Sequence, residues 1–143
     1  VKTQKQHTKD FAKAVNQFAE AYGADVGKVL DLTALQLHKS IVMKTPVDTG
    51  RARGSWTIGR NQIASPGGLY LKGVRESGDR ERRTFLKSGK SKATDTIFIA
   101  NNVDYIEELE RGSSRQAPAG MFAITIRAFR RYLRAARQRV KKR

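Results

Sequence analysis

Between residues 10 and 44 the apolar side chains recur every three or four positions, and the run stops at a proline. Phe11, Val15, Phe18 and Tyr22 fall on one helical face, and Val29, Leu30, Leu37, Ile41 and Val42 continue at helical spacing. Gly23 interrupts the pattern and Asp25 is placed to cap a new start. The segment therefore reads as one long helix with a weak point at Gly23, or as two consecutive helices. Its end is sharp. Thr45 precedes Pro46; a residue before proline disfavours helical geometry, and proline has no N–H to continue the ladder. A helix this long must bury its apolar face against something, and that requirement governs the reading of the rest.

Ser55 to Ile58 reads as the start of a strand, with Trp56 as a core residue, and Leu69 to Leu71 as a second short strand. The glycine- and proline-bearing stretch 59–68 between them reads as a loop. Residues 72–95 carry few large apolar groups and read as a mobile basic loop or long hairpin. Thr96 to Ala100 is the clearest strand, rich in β-branched and aromatic residues. Tyr105 to Leu109 reads as a short helix or turn, and 112–120 as a loop. Phe122, Ile126, Phe129, Leu133, Ala136 and Val140 form the apolar stripe of a final helix. The order predicts one α+β domain over 1–143, with a long N-terminal helix and a C-terminal helix packed on a small, mostly antiparallel β-sheet. Residues 1–9 read as a flexible basic start and 138–143 as a frayed basic tail.

Charge narrows the function classes. Lys and Arg number 29 against 13 Asp and Glu, a formal net charge of +16. Such a chain needs a polyanion, an acidic protein surface, or both as partner. The excess is uneven: the last 17 residues hold nine basic side chains and no acid. Arg127, Arg130, Arg131, Arg134, Arg137 and Lys141 lie beside the apolar stripe of the final helix, a face for a polyanion or a protein partner. The acids of the C-terminal third are confined to Asp104, Glu107, Glu108 and Glu110. In a chain this basic, their natural counterpart is the Arg face of another copy, so they read as an interface. There is no cysteine and no apolar run near the ~18 residues of a membrane span, so thiol chemistry, Cys-based zinc sites and membrane-spanning helices are excluded.

Catalytic signatures are weak. Asp48-Thr49-Gly50 matches the aspartic-protease triplet, but a helix and a proline precede it where an apolar strand is needed, so an Asx turn is the better reading. His7 and His38 have no ligating partner at helical spacing, so neither a metal nor a cofactor is implied. No helix-turn-helix, zinc-finger or RNA-binding aromatic signature is present.

Three loops read together are more specific. Pro46-Val47-Asp48-Thr49-Gly50-Arg51 follows a helix. Asn101-Asn102-Val103-Asp104-Tyr105 leads to Glu110-Arg111-Gly112, and Gln116-Ala117-Pro118-Ala119-Gly120-Met121 precedes the last helix. Their order and spacing resemble the small neck, or tail-completion, proteins of long-tailed, siphovirus-type bacteriophages, a family of minor tail components. The resemblance spans roughly residues 25–135; the basic segment 72–95 and the Arg-rich end depart from it.

The resemblance implies a non-enzymatic virion protein, assembled in the host cytoplasm, at the junction of tail and head. Its partners would be other copies of itself, in a ring of roughly six by analogy with tail symmetry, and neighbouring neck, tail-terminator or tail-tube proteins. DNA would pass through the lumen, and no membrane would be involved. Asp48, Thr49 and Gly50 would fix the turn, Tyr105 and Glu110 would lie near the subunit edge, and Gln116 to Met121 would form an ordered loop. A non-specific nucleic-acid-binding protein is the alternative. Charge leaves open whether the basic face meets DNA, a neighbour or solvent.

Overall fold

Helix α1 (Val26–Lys44) is the spine of the molecule. Asp25 caps it, its Oδ1 accepting the Lys28 N–H at 3.2 Å. The helix is buried on most of its circumference, from Val29 and Leu30 to Ile41 and Val42; its exposed positions, Gln36, Lys39 and Met43, form one narrow stripe. A helix enclosed this way has neighbours on several sides, and they follow in chain order. The computed structural model of the chain describes residues 9–11, 13, 14, 17, 25–47, 51–64 and 78–141. After α1 come the single turn α2 (Arg51–Gly54), strand β1 (Thr57–Arg60), helix α3 (Asp79–Lys87) and strand β2 (Ile97–Ala100). Helices α4 (Ile106–Glu110), α5 (Phe122–Arg127) and α6 (Phe129–Lys141) complete the order. The fold is α+β. Its two strands pair antiparallel, from Thr57 opposite Ala100 to Arg60 opposite Ile97.

Three small apolar clusters succeed one another along α1. At its N-terminal half Val29 and Leu30 meet Leu133 and Ala136 of α6, with Phe11, Val26 and Val140 at the margin. Phe11 also meets Phe129 edge-on, ring centroids 5.7 Å apart. In the middle Ala34 packs with Ile58 of β1 and Phe85 of α3. At the C-terminal end Ile41 and Val42 enclose Trp56 and Met121, flanked by Ile106, Leu109 and Phe122. So α5 sits at the C-terminal end of α1, and α6 runs back towards its start. The Tyr132 and Ser40 hydroxyls, 2.8 Å apart, tie the two helices midway.

The structure corrects several expectations. Residues 79–87, within the stretch read as a mobile loop or hairpin, are helix α3, and Phe85 is buried. The sequence Asp-Arg-Glu-Arg-Arg-Thr-Phe-Leu-Lys contains good helix formers but only one core-facing apolar residue, so it shows no stripe. Its order comes from polar links to the spine described below. The final helix is two helices. At Ala128 the backbone ψ moves to −4°, and the local bonds become i→i−3: Ala128 N–H to Thr125 O at 3.1 Å and Arg131 N–H to Ala128 O at 3.0 Å. Strand β1 starts at Thr57 because Ser55 closes the turn of α2, its Oγ donating to Arg51 O at 2.6 Å. Gly59 lies in that strand, outside the expected loop, and a side chain there would collide with the Gln62 carbonyl. The anticipated weak point at Gly23, the second strand at 69–71 and the turn residues Asp48, Thr49 and Gly50 fall outside the described residues.

Candidate functional site

A helix stopped by proline leaves its last carbonyls without main-chain donors. Here Arg53 supplies them: Nε donates to Thr45 O and Nη2 to Met43 O, each at 3.1 Å. The buried Thr45 hydroxyl donates to Ile41 O at 2.6 Å and accepts the Trp56 indole N–H at 2.8 Å. The end of α1 is thus nailed to the segment that leads into β1. Neither Thr45 nor Arg53 stood out in the sequence as a site residue, although the orphaned carbonyls before Pro46 were a sign that a donor was required.

Around this point the three motif loops converge. The Gln116 side chain clamps the main chain of Val47, its Oε1 accepting Val47 N–H at 2.9 Å and its Nε2 donating to Val47 O at 3.0 Å. Asn101 joins two segments: Oδ1 accepts Val103 N–H at 3.0 Å and Nδ2 donates to Ala52 O at 2.8 Å. The Arg51 guanidinium lies over the Tyr105 ring, 5.9 Å from its centre. Glu110 reaches across to the start of α5 and accepts three N–H groups, from Met121 at 2.9 Å, Phe122 at 2.7 Å and Ala123 at 3.0 Å. This carboxylate caps a helix eleven residues downstream and meets the positive end of its dipole.

Two glycines make the convergence possible. Gly112 and Gly120 have φ of 91° and 78°, which side-chain-bearing residues adopt at a cost. A Cβ on Gly112 would strike the Pro118 carbonyl, and one on Gly120 would strike the Glu110 carbonyl. Ala117 and Met121 are buried, whereas Pro118 and Ala119 are exposed. Beside the knot runs a groove of about 390 Å³ between the end of α1 and the 116–120 loop, with Pro46, Lys44 and Ile124 among its walls. Met43, also in its lining, is 57% exposed.

The acids divide. Asp104, Glu107 and Glu108 are exposed, and Glu107 makes a loose pair with Arg111 at 3.7 Å. Glu110 does not face outward with them; its carboxylate serves the α5 cap, so it is unavailable as the interface residue expected of it. The basic residues also divide. Arg127, Arg130, Arg131 and Arg134 are exposed, and Arg137 is half-buried. Lys141 closes α6. The acidic helix α4 packs at the C-terminal end of α1, whereas α6 reaches its N-terminal half. Among the described residues, Asp104, Glu107 and Glu108 make no ion pair with Arg130, Arg131 or Arg134.

One fully buried polar group was missed in sequence. His38 has no exposed surface. Its Nδ1 faces Arg82 Nη1 at 3.0 Å. Arginine only donates, so Nδ1 accepts, and Nε2–H donates to Trp56 O at 3.1 Å. Desolvation by burial, with the nearby Arg82 charge assisting, lowers the imidazole pKa to about 4. Arg82 also bonds Asp79 at 2.6 Å, so the chain Asp79–Arg82–His38 fastens α3 to the spine. A second clasp holds the 88–91 loop: Asp31 accepts Ser91 N–H at 2.9 Å, and Arg60 donates to Ser88 Oγ at 2.7 Å and Gly89 O at 2.8 Å. Among the described residues no group of three or more His, Asp or Glu side chains is placed to hold a metal ion, and no helix is long and apolar enough to cross a membrane. No family model, curated protein or solved structure matches this chain.

Proposed function

We propose that this chain is a structural subunit of a tailed-phage virion, a neck or tail-completion protein that joins tail to head as a ring around the DNA path. The observation that supports the reading is the convergence of the loops that carry the resemblance. Val47 and Gln116, 69 residues apart, hold one another directly. Asn101, Glu110, Gly112 and Gly120 fasten the surrounding segments to each other. Residues bound this way build a rigid platform. They are not arranged as a nucleophile with its base.

The platform displays Met43 at a groove and an exposed Val47, with Glu107 and Glu108 on helix α4 and Asp104 just before it. A ring is built from heterologous contacts, in which one surface of a subunit meets a different surface of the next. The exposed acids on and just before α4, at the C-terminal end of α1, offer one such surface. The test is the double charge reversal Glu107→Lys with Glu108→Lys, leaving Glu110 in place because it caps α5. Joining of tails to heads in extracts should be lost while the circular dichroism spectrum stays unchanged. Normal joining would remove this interface, and failure of the wild-type protein to copurify with virions at fixed stoichiometry would remove the function itself.

A further inference from the structure

The outward face of α6 exposes Arg130, Arg131, Arg134 and Arg139 together with Ala135 and Gln138. Leu133 and Ala136 turn inward and are buried. Arg130, Arg131 and Arg134 occupy the side away from them and are exposed. Helix α6 contains no acidic residue, and none of these three arginines makes an ion pair with a described carboxylate. At the edge of the face Lys44 donates to Ser40 Oγ at 2.5 Å, beside the Tyr132 hydroxyl. The Arg131 guanidinium lies 5.5 Å from the centre of the Tyr132 ring. Burial pushes the Tyr132 phenol up, but hydrogen bonds from Ser40 and Arg131 and the Lys44 charge outweigh it and lower the pKa overall. The local field therefore favours negative charge at this seam.

We propose that this face, Arg130, Arg131 and Arg134 with Lys44 at its edge, is a contact surface for the phosphate backbone of double-stranded DNA, bound without base specificity. One feature favours DNA over an acidic protein. Specific protein interfaces are built on buried apolar or aromatic anchors, and among the described residues the large exposed apolar ones, Met43, Val47, Ile63, Leu86 and Phe98, lie outside α6. The reading does not require a ring, and it holds whether or not the chain sits in a virion.

Binding to 24-base-pair duplexes of two unrelated sequences, followed by fluorescence anisotropy across a salt series, tests it. The full chain should bind both duplexes equally. The triple variant Arg130→Gln, Arg131→Gln, Arg134→Gln should weaken binding more than roughly tenfold and lower the salt slope by about 3, with an unchanged melting temperature. A control triple on α3, Arg80→Gln, Arg83→Gln, Lys87→Gln, removes the same charge and should change the slope clearly less. Equal loss in the two triples would overturn the assignment to α6. So would no binding by the wild type at 50 mM salt, or binding of an oligoglutamate peptide as tight as that of DNA, which would reassign the face to an acidic protein.

Discussion

The two ends of α1 use charge in opposite ways. At the C-terminal end the polar groups of the knot are matched within the chain: Arg53 to carbonyls, Gln116 to Val47, Glu110 to three N–H groups. On the outward face of α6 the guanidinium groups of Arg130, Arg131 and Arg134 meet no described carboxylate. A run of like residues in sequence says little about which regime applies. The acidic run 104–110 contains one carboxylate that builds the fold and three that face solvent, and only the geometry separates them. The knot makes a fixed shape; the Arg face makes a field.

That contrast is testable by removing groups from each region. The largest effect belongs to Glu110→Ala, which strips from the start of α5 the two carboxylate oxygens that accept three N–H groups and should destabilise by about 2–3 kcal/mol in urea unfolding. A loss below half of that would mean the cap is redundant. Acid comes next. The folded pKa of His38, about 4, lies below its ordinary 6.5, so the unfolded chain binds more protons between these values. Stability is then full above about pH 6.5 and falls as pH drops towards 4, by about 2 kcal/mol at pH 5 from this group. Unfolding of His38→Gln should lose that component of the pH slope, and an unaltered slope would show that carboxylates alone set it. Gln116→Ala should lose about 1 kcal/mol, since the clamp is exposed, and it should raise amide exchange at Val47. The smallest effect is expected on the other side of the comparison: replacing Arg130, Arg131 and Arg134 with Gln should move the melting free energy by less than about 0.5 kcal/mol. A large loss there would mean that these arginines serve the fold and would dissolve the distinction.

The spine and its exit were legible because their causes are local. Apolar spacing, the Asp25 cap and the Thr45–Pro46 stop act over a few residues, and Ile97–Ala100 has strand composition. Trp56 is in the core, as its size suggested. Helix α3 was not legible, because its order rests on Arg82 meeting His38, 44 residues away. The break at Ala128 was not either: no proline or glycine marks it, and periodicity runs through it unchanged. The motif loops were recognisable as words, but their grammar was hidden. Glu110 looked like one more surface acid until the fold brought Met121, Phe122 and Ala123 to it.

The Gln116 clamp has a consequence for how such a surface can change over generations. It grips the N–H and C=O of residue 47 and ignores the side chain, which is exposed. Position 47 can therefore be rewritten, apolar to polar or small to large, while the loop keeps its place. Position 116 has no such latitude, because glutamate lacks the donor and leucine lacks both groups. The chain separates the letter a partner reads from the bolt that holds the page, and a change of partner requires altering only the first.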